Sequence, residues 1–153
     1  MSETIAVLTY KSVETIIEVG GTQSWVLDRT RAAKCDYVVM YRNAKTRDAE
    51  GPELHGSAFM VGKVKDVVPA TDYKGRWLIL ISDYAIVDGL DDVWEGRNPV
   101  AYWPTDHFNV DLDSLDYQPI EAKPRGLTIQ EAKAGLAVNF NVPESAITIS
   151  IQS

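Results

Sequence analysis

Apolar and polar positions along the chain fall into short alternating or continuous stretches, the signature of strands rather than of long helices. Thr4–Tyr10 (TIAVLTY), dense in β-branched side chains, predicts an opening strand. Ser12–Val19 (SVETIIEV) fits either a short helix or a strand and ends at the Gly20-Gly21 pair, a turn signal. Ser24–Leu27 is a short apolar stretch, and Asp28 is placed to cap a short helix over Arg29–Lys34. Tyr37–Tyr41 (YVVMY) is an unbroken apolar run, as expected of a strand buried on both faces. The polar segment Asn43–Ser57, with Gly51-Pro52, predicts a long loop, and a loop of that length in a compact domain is functional or mobile.

Ala58–Val68 and Arg76–Val87 predict an antiparallel hairpin, with Gly62 marking a bulge or bend and Pro69–Gly75 the turn; Tyr73 is the only large apolar residue of that turn. Asp91 or Asp92 is placed to begin one helical turn, Val100–Trp103 predicts a short strand, and Asp106–Tyr117 a loop with one turn of helix. After a linker at Ala122–Gly126, Thr128 and Glu131 form a capping box. The helix it opens has Ile129, Ala132, Leu136 and Phe140 on one face. Pro143 stops that helix, and Ala146–Ile151 (AITISI) alternates like a strand. Strands are not followed regularly by helices. The expected fold is therefore α+β, a twisted, barrel-like and mainly antiparallel sheet with two or three peripheral helices. The barrel domain is expected over residues 1–121 and a helix-strand appendage over 122–153.

Composition adds few constraints. The 153 residues are 45% hydrophobic and 24% charged, ordinary values that exclude a largely disordered chain. The single cysteine, Cys35, excludes an intrachain disulfide and reads as a buried, inert thiol. With no basic leader segment and no apolar run of membrane-spanning length, the expected location is the cytoplasm, with no membrane association. The formal charge of −7 excludes an all-over basic binder. It conceals an asymmetry. Between Arg29 and Arg47 six basic residues face one acid, Asp36, whereas between Asp83 and Glu121 ten acids face one base, Arg97. One reading is two solvated faces; another is a phosphate-facing basic edge backed by an acidic face.

Candidate chemistry is sparse. Two Arg-Asn pairs, Arg42-Asn43 and Arg97-Asn98, each follow an aromatic, Tyr41 and Trp94 respectively. Arginine holds phosphate or stacks on a base, and asparagine pairs with a base edge through donor and acceptor together. Trp77 lies within a strand and reads as core, whereas Trp25, Trp94 and Trp103 lie at element ends, where a ring lines a pocket mouth or caps the core. His55 and His107 lack the spacing of a zinc site, and the run Asp111–Asp116 lacks the glycine and the final glutamate of a calcium loop, so no metal or cofactor is expected. Phosphate-loop and nucleophile-elbow motifs are absent.

In the order Ser24-Trp25, Tyr37–Asn43 (YVVMYRN), Gly56–Val67 (GSAFMVGKVKDV) and Tyr84–Trp103, the chain resembles the PUA-like superfamily, in particular its EVE, ASCH and YTH-type small β-barrels. It is also similar to stand-alone bacterial proteins of unassigned function that share the ending R-N-P-V-x-Y, here Arg97 to Tyr102. The resemblance spans Thr4 to Tyr117. It implies a pseudobarrel whose aromatic cleft accepts RNA or a modified base, with Trp25 and Trp94 as cage walls and Arg42 and Asn43 near the backbone or base edge. The ASCH pattern G-x-K-x-x-E-x-R and the longer EVE opening around its Ser-Trp pair are absent.

The leading expectation is a non-catalytic nucleic-acid reader, for RNA or for DNA with a modified base. It gathers Trp25, Tyr41, Arg42, Asn43, His55, Trp94, Arg97 and Asn98 around one cleft. Its rivals are a protein-interaction module using the acidic 83–121 face and the C-terminal segment, with a homodimer or a partner protein, and an enzyme for a small polar substrate. The last would need His55 or His107 in reach of a carboxylate and a hydroxyl.

Overall fold

The computed structural model describes residues 3–90, 92–120 and 129–150. Seven strands form one curled, mixed sheet: β1 (Glu3–Thr9), β2 (Gly21–Trp25), β3 (Tyr37–Arg42), β4 (Ala58–Pro69), β5 (Trp77–Ile86), β6 (Val100–Pro104) and β7 (Gln118–Pro119). The order is β2-β5-β4-β3-β1-β6, and β7 pairs with β5 beyond the end of β2. Only β1 and β3 run parallel, joined through α1 (Val13–Val19), β2 and α2 (Arg29–Ala33); every other pairing is antiparallel. This is the α+β, twisted and mainly antiparallel half-barrel with peripheral helices that the apolar pattern predicts.

Local chemistry explains the helices. The ambiguous segment after β1 is helical because the Ser12 side chain caps it, accepting from the Thr15 N–H at 3.1 Å, and Gly20 at φ 87° closes it. Asp28 caps α2 as its position predicts, accepting from the Arg31 N–H at 3.1 Å. The glycine pair read as a turn splits: Gly20 is the cap and Gly21 opens β2.

Strand alternation separates two cores. One face carries Ile5, Val7, Val38, Met40, Ile79 and Trp25; the other carries Ala6, Val39, Tyr41, Trp94, Phe108 and Leu112. All six residues of β3 are buried, because this strand has apolar layers on both sides. In the β4–β5 hairpin the register shifts fall between Lys63 and Asp66, just after Gly62. Gly62 itself makes room, since a Cβ there would lie 2.6 Å from the Ile81 side chain. The loop at 106–117 holds 3-10 turns at Thr105–His107 and Leu112–Ser114, whereas Asp92 starts no helix and the alternative start, Asp91, lies outside the described residues.

Contacts divide the chain into units 1–122 and 123–153. The second contains α3 (Ile129–Phe140) and a 3-10 turn at Glu144–Ala146, tied by Gln130 donating to Glu144 at 2.8 Å. The expected capping box lies partly outside the described residues, at Thr128. Two members of the predicted apolar face, Leu136 and Phe140, are exposed. The predicted final strand is not formed over residues 147–150: the alternation survives as half-buried Ile147 and Ile149, but no described strand pairs with it. No helix among the described residues is long and apolar enough to cross a membrane.

Candidate functional site

A cleft of about 420 Å³ opens where the curl of the sheet brings the end of β2 toward the end of β1. Its walls are Leu8–Lys11, Gln23–Trp25, Asn43 after β3, Pro99 before β6, and Asp72, Tyr73 and Arg76 from the β4–β5 loop. Trp25 is buried, its indole N–H donating to Thr22 at 3.0 Å. Tyr10 and Tyr73 are exposed, and each has a cation over its ring: Lys11 at 4.9 Å from the Tyr10 centroid and Arg76 at 5.9 Å from that of Tyr73.

The β2 side of the cleft is built around a strained residue. Ser24 sits at φ 79° where the β2–β5 register shifts, a left-handed conformation that costs a non-glycine residue about 1–3 kcal/mol. Three contacts hold the β4–β5 loop against it. The Ser24 hydroxyl donates to Asp72, the Ser24 carbonyl accepts from Arg76 at 3.0 Å, and Gln23 Oε1 accepts from the Thr71 N–H and hydroxyl at 2.9 Å each.

The opposite wall is held by Arg42, which is fully buried. Its Nη1 donates to the carbonyls of Thr9 (3.2 Å) and Lys11 (2.7 Å), and its Nε and Nη2 meet Glu53 Oε1 at 2.9 and 2.8 Å. The guanidinium lies 4.0 Å from the Phe59 ring centroid. The same long loop grips the β1–α1 turn again through Glu50. Its N–H donates to the Tyr10 carbonyl at 2.7 Å, and its Oε1 accepts from the Ser12 N–H (3.1 Å) and the Thr15 hydroxyl (2.8 Å). The Ser12 N–H, followed by the Thr15 hydroxyl, holds the Glu50 carboxyl below the usual carboxylate range.

The eight residues expected around one cleft therefore divide. Trp25 and Asn43 line it. His55, Arg97 and Asn98 are not among its lining: His55 Nδ1 accepts from the Ala44 N–H at 3.1 Å, and Arg97 and Asn98 are exposed just before Pro99. Arg42 is structural rather than exposed to a ligand: it is fully buried, and three donated bonds, to Glu53 and to the carbonyls of Thr9 and Lys11, hold it in place. Tyr41 and Trp94 belong to the other face of the sheet from Trp25, so Trp25 and Trp94 do not wall one cage. Sequence reasoning missed Tyr10, Lys11, Gln23, Asp72 and Arg76. The signal for the β4–β5 loop was Tyr73, a lone aromatic in a polar turn.

On that other face the aromatics form a dense cluster. Tyr41 meets Trp94 edge-on at 5.2 Å, and His107 stacks on Trp103 at 4.6 Å between centroids. Asp92 accepts from the Tyr41 hydroxyl, 2.8 and 2.9 Å from its two oxygens, and lies 3.2 Å from His107 Nε2. Burial, then the Asp92 carboxylate, pushes the Tyr41 phenol far above its ordinary range, so it stays a hydrogen-bond donor. A neutral His107 that donates to Asp92 from Nε2 presents Nδ1 as a lone pair. A cavity of about 620 Å³ lies beside this cluster, lined by the single segment from Thr105 to Leu112.

The charge asymmetry is partly absorbed by local structure. Arg29 pairs with Asp66 (3.8 Å), Arg31 with Glu3 (2.7 Å), and Arg42 with Glu53, which leaves Lys34, Lys45 and Arg47 exposed from the basic segment. Among the acids, Asp92 holds Tyr41 and His107, and Asp111 caps a 3-10 turn. No group of three or more metal-ligating side chains occurs among the described residues.

Burial pushes the Cys35 thiol up to about 11. Cys35 is therefore expected to resist alkylation by iodoacetamide at pH 8 in the native protein and to react once urea unfolds it. Rapid native labelling, read by mass spectrometry, contradicts this packing.

No family model, curated protein or solved structure matches the chain. The cleft's geometry is thus the ground on which a function is read.

Proposed function

We propose that the protein is a non-catalytic nucleic-acid-binding module that takes one unpaired base into the cleft between the β1–α1 turn and the end of β2. The observation that carries this reading is the pair of exposed tyrosines, each backed by a cation, on either side of a cleft walled by Trp25. Aromatic faces stack on any base and adjacent cations meet the phosphates that accompany it. Lys45 and Arg47 add positive charge on the segment that follows Asn43. They are exposed on the loop that begins at Asn43, whose side-chain oxygen accepts from the Lys45 N–H at 3.1 Å. The resemblance to PUA-like barrels points the same way for Trp25 and Asn43, and gives no support through Arg42, Tyr41 or Trp94.

Binding of a single-stranded oligonucleotide should fall with salt. Its log–log slope is expected at about −1.4 to −2.8, for two to four phosphates neutralised on a single strand. Tyr73→Ala, at an exposed ring, should leave the fold intact and weaken binding by about 1–3 kcal/mol. Fluorescence anisotropy measures both. Affinity that ignores salt and survives Tyr73→Ala contradicts the reading.

The 3.2 Å contact between His107 and Asp92 favours a second reading, acid–base chemistry on a small substrate on the opposite face. That reading requires a turnover abolished by His107→Gln and untouched by Tyr73→Ala.

A further inference from the structure

The hydrogen bonds already spent inside the cleft restrict what its remaining groups can recognise. A backbone N–H can only donate, so each amide side chain that meets one has its orientation fixed. Gln23 turns its oxygen to the Thr71 N–H, and Asn43 turns its oxygen to the Lys45 N–H. Each of these cleft-lining residues therefore has its NH2 group, a pure donor, on the side away from that bond. Arg76 and Lys11 add only donors, by their chemistry. The carboxylate beside them is Asp72, an acceptor that takes the Ser24 hydroxyl on Oδ1 and has Oδ2 left to offer.

The two amides come from different sides. Gln23 is on β2 and Asn43 follows β3, strands with β5 and β4 between them in the sheet. We infer that the cleft selects a 2,4-dioxopyrimidine, uracil or thymine, whose edge presents an oxo acceptor at each end with an N–H between them. This inference rests on the nucleic-acid reading above and names the base it takes. The two oxo groups meet the two amide NH2 donors, and the central N–H meets Asp72. Cytosine replaces one terminal oxo group with an amino group, which sets donor against donor at one end. A site built to bond a group rejects the analogue lacking it, because its own polar group is then left unpaired.

The test compares oligo(dT), oligo(U) and oligo(dC) by fluorescence anisotropy on the whole chain, and uses Asn43→Asp and Gln23→Glu. Both variants keep an oxygen for the backbone N–H that each side chain serves, and both remove the NH2 donor. Circular-dichroism melts confirm that they fold as the parent does. Oligo(dT) is expected to bind at least about tenfold more tightly than oligo(dC). Each variant is expected to cut that ratio several-fold, with oligo(U) behaving as oligo(dT) if the pocket reads the base and not the sugar. Strong oligo(dT) binding beside weak oligo(U) binding assigns the source as DNA and still supports the selected edge. Equal binding of oligo(dT) and oligo(dC), or a ratio unmoved by both variants, overturns the inference while the nucleic-acid reading stands. Absence of binding to every oligonucleotide at low salt overturns the reading itself, and this inference with it.

Discussion

Replacing Arg42 with leucine is expected to lower the unfolding free energy by about 3–5 kcal/mol, the usual loss when one partner of a buried ion pair is removed. Two consequences add up. Glu53 loses its cationic partner with only 26% of its side chain exposed, and the Lys11 carbonyl loses its donor, whereas the Thr9 carbonyl keeps the Asn43 N–H at 2.9 Å. Lysine should not restore the loss, since one ammonium cannot span a carboxylate and two carbonyls held on separate segments. Pairing Arg42→Leu with Glu53→Gln should recover part of it, because the stranded charge is gone while the Lys11 carbonyl stays unserved. Urea denaturation of the four proteins completes the cycle. A single-variant loss below about 1 kcal/mol means that Arg42 is not the pin of the β1–α1 turn.

Gly21→Ala is the second large effect. A Cβ at Gly21 would lie 2.0 Å from the Ile79 carbonyl oxygen and 2.9 Å from the Leu80 Cα, backbone atoms that no rotamer change can move aside. β2 must then shift against β5, at a cost of about 3 kcal/mol, and Tm should fall by roughly 6–12 °C for a chain of this size. The effect reaches the cleft as well, since β2 delivers Gln23, Ser24 and Trp25. Oligonucleotide affinity should therefore drop together with Tm. A melt like that of the parent would show that the β2–β5 pairing is looser than the register implies.

The sheet was legible where patterning is local. Tyr37–Tyr41 reads as doubly buried because apolar residues serve both faces of β3 in turn. The hairpin at Ala58–Val87 announces itself by two apolar runs around a polar turn. Burial of the last residue of β3 was not legible. A charged residue at a strand end reads as exposed, and what buries Arg42 is Glu53, eleven positions on, together with two carbonyls more than thirty positions back. Trp94 misled for the converse reason. Its neighbours Asp92, Glu95 and Gly96 are polar, while the rings that enclose it, Tyr41 and Trp103, come from other strands. The terminal AITISI pattern fits a strand, but a strand needs a hydrogen-bonding neighbour, and patterning within one segment does not supply it.

The site shows the same division. Trp25 and Asn43, singled out as an aromatic and an amide at element ends, both line the cleft. Gln23, Asp72 and Arg76 were missed because each acts through a contact across about fifty residues: Gln23 with Thr71, Asp72 with Ser24, and Arg76 with the Ser24 carbonyl. Ser24 carries no sequence mark of its left-handed backbone, which glycine would have announced.

The most direct test of the central claim is a backbone amide NMR titration with a single-stranded, thymine-rich oligonucleotide at low salt. Base capture in the cleft predicts shifts concentrated at residues 8–11, 23–25, 43–47 and 71–76, with the Asp92–His107–Trp103 cluster on the other face unmoved. Shifts gathered on that cluster, or spread evenly over the basic side chains with none at Trp25 and Tyr73, would contradict it.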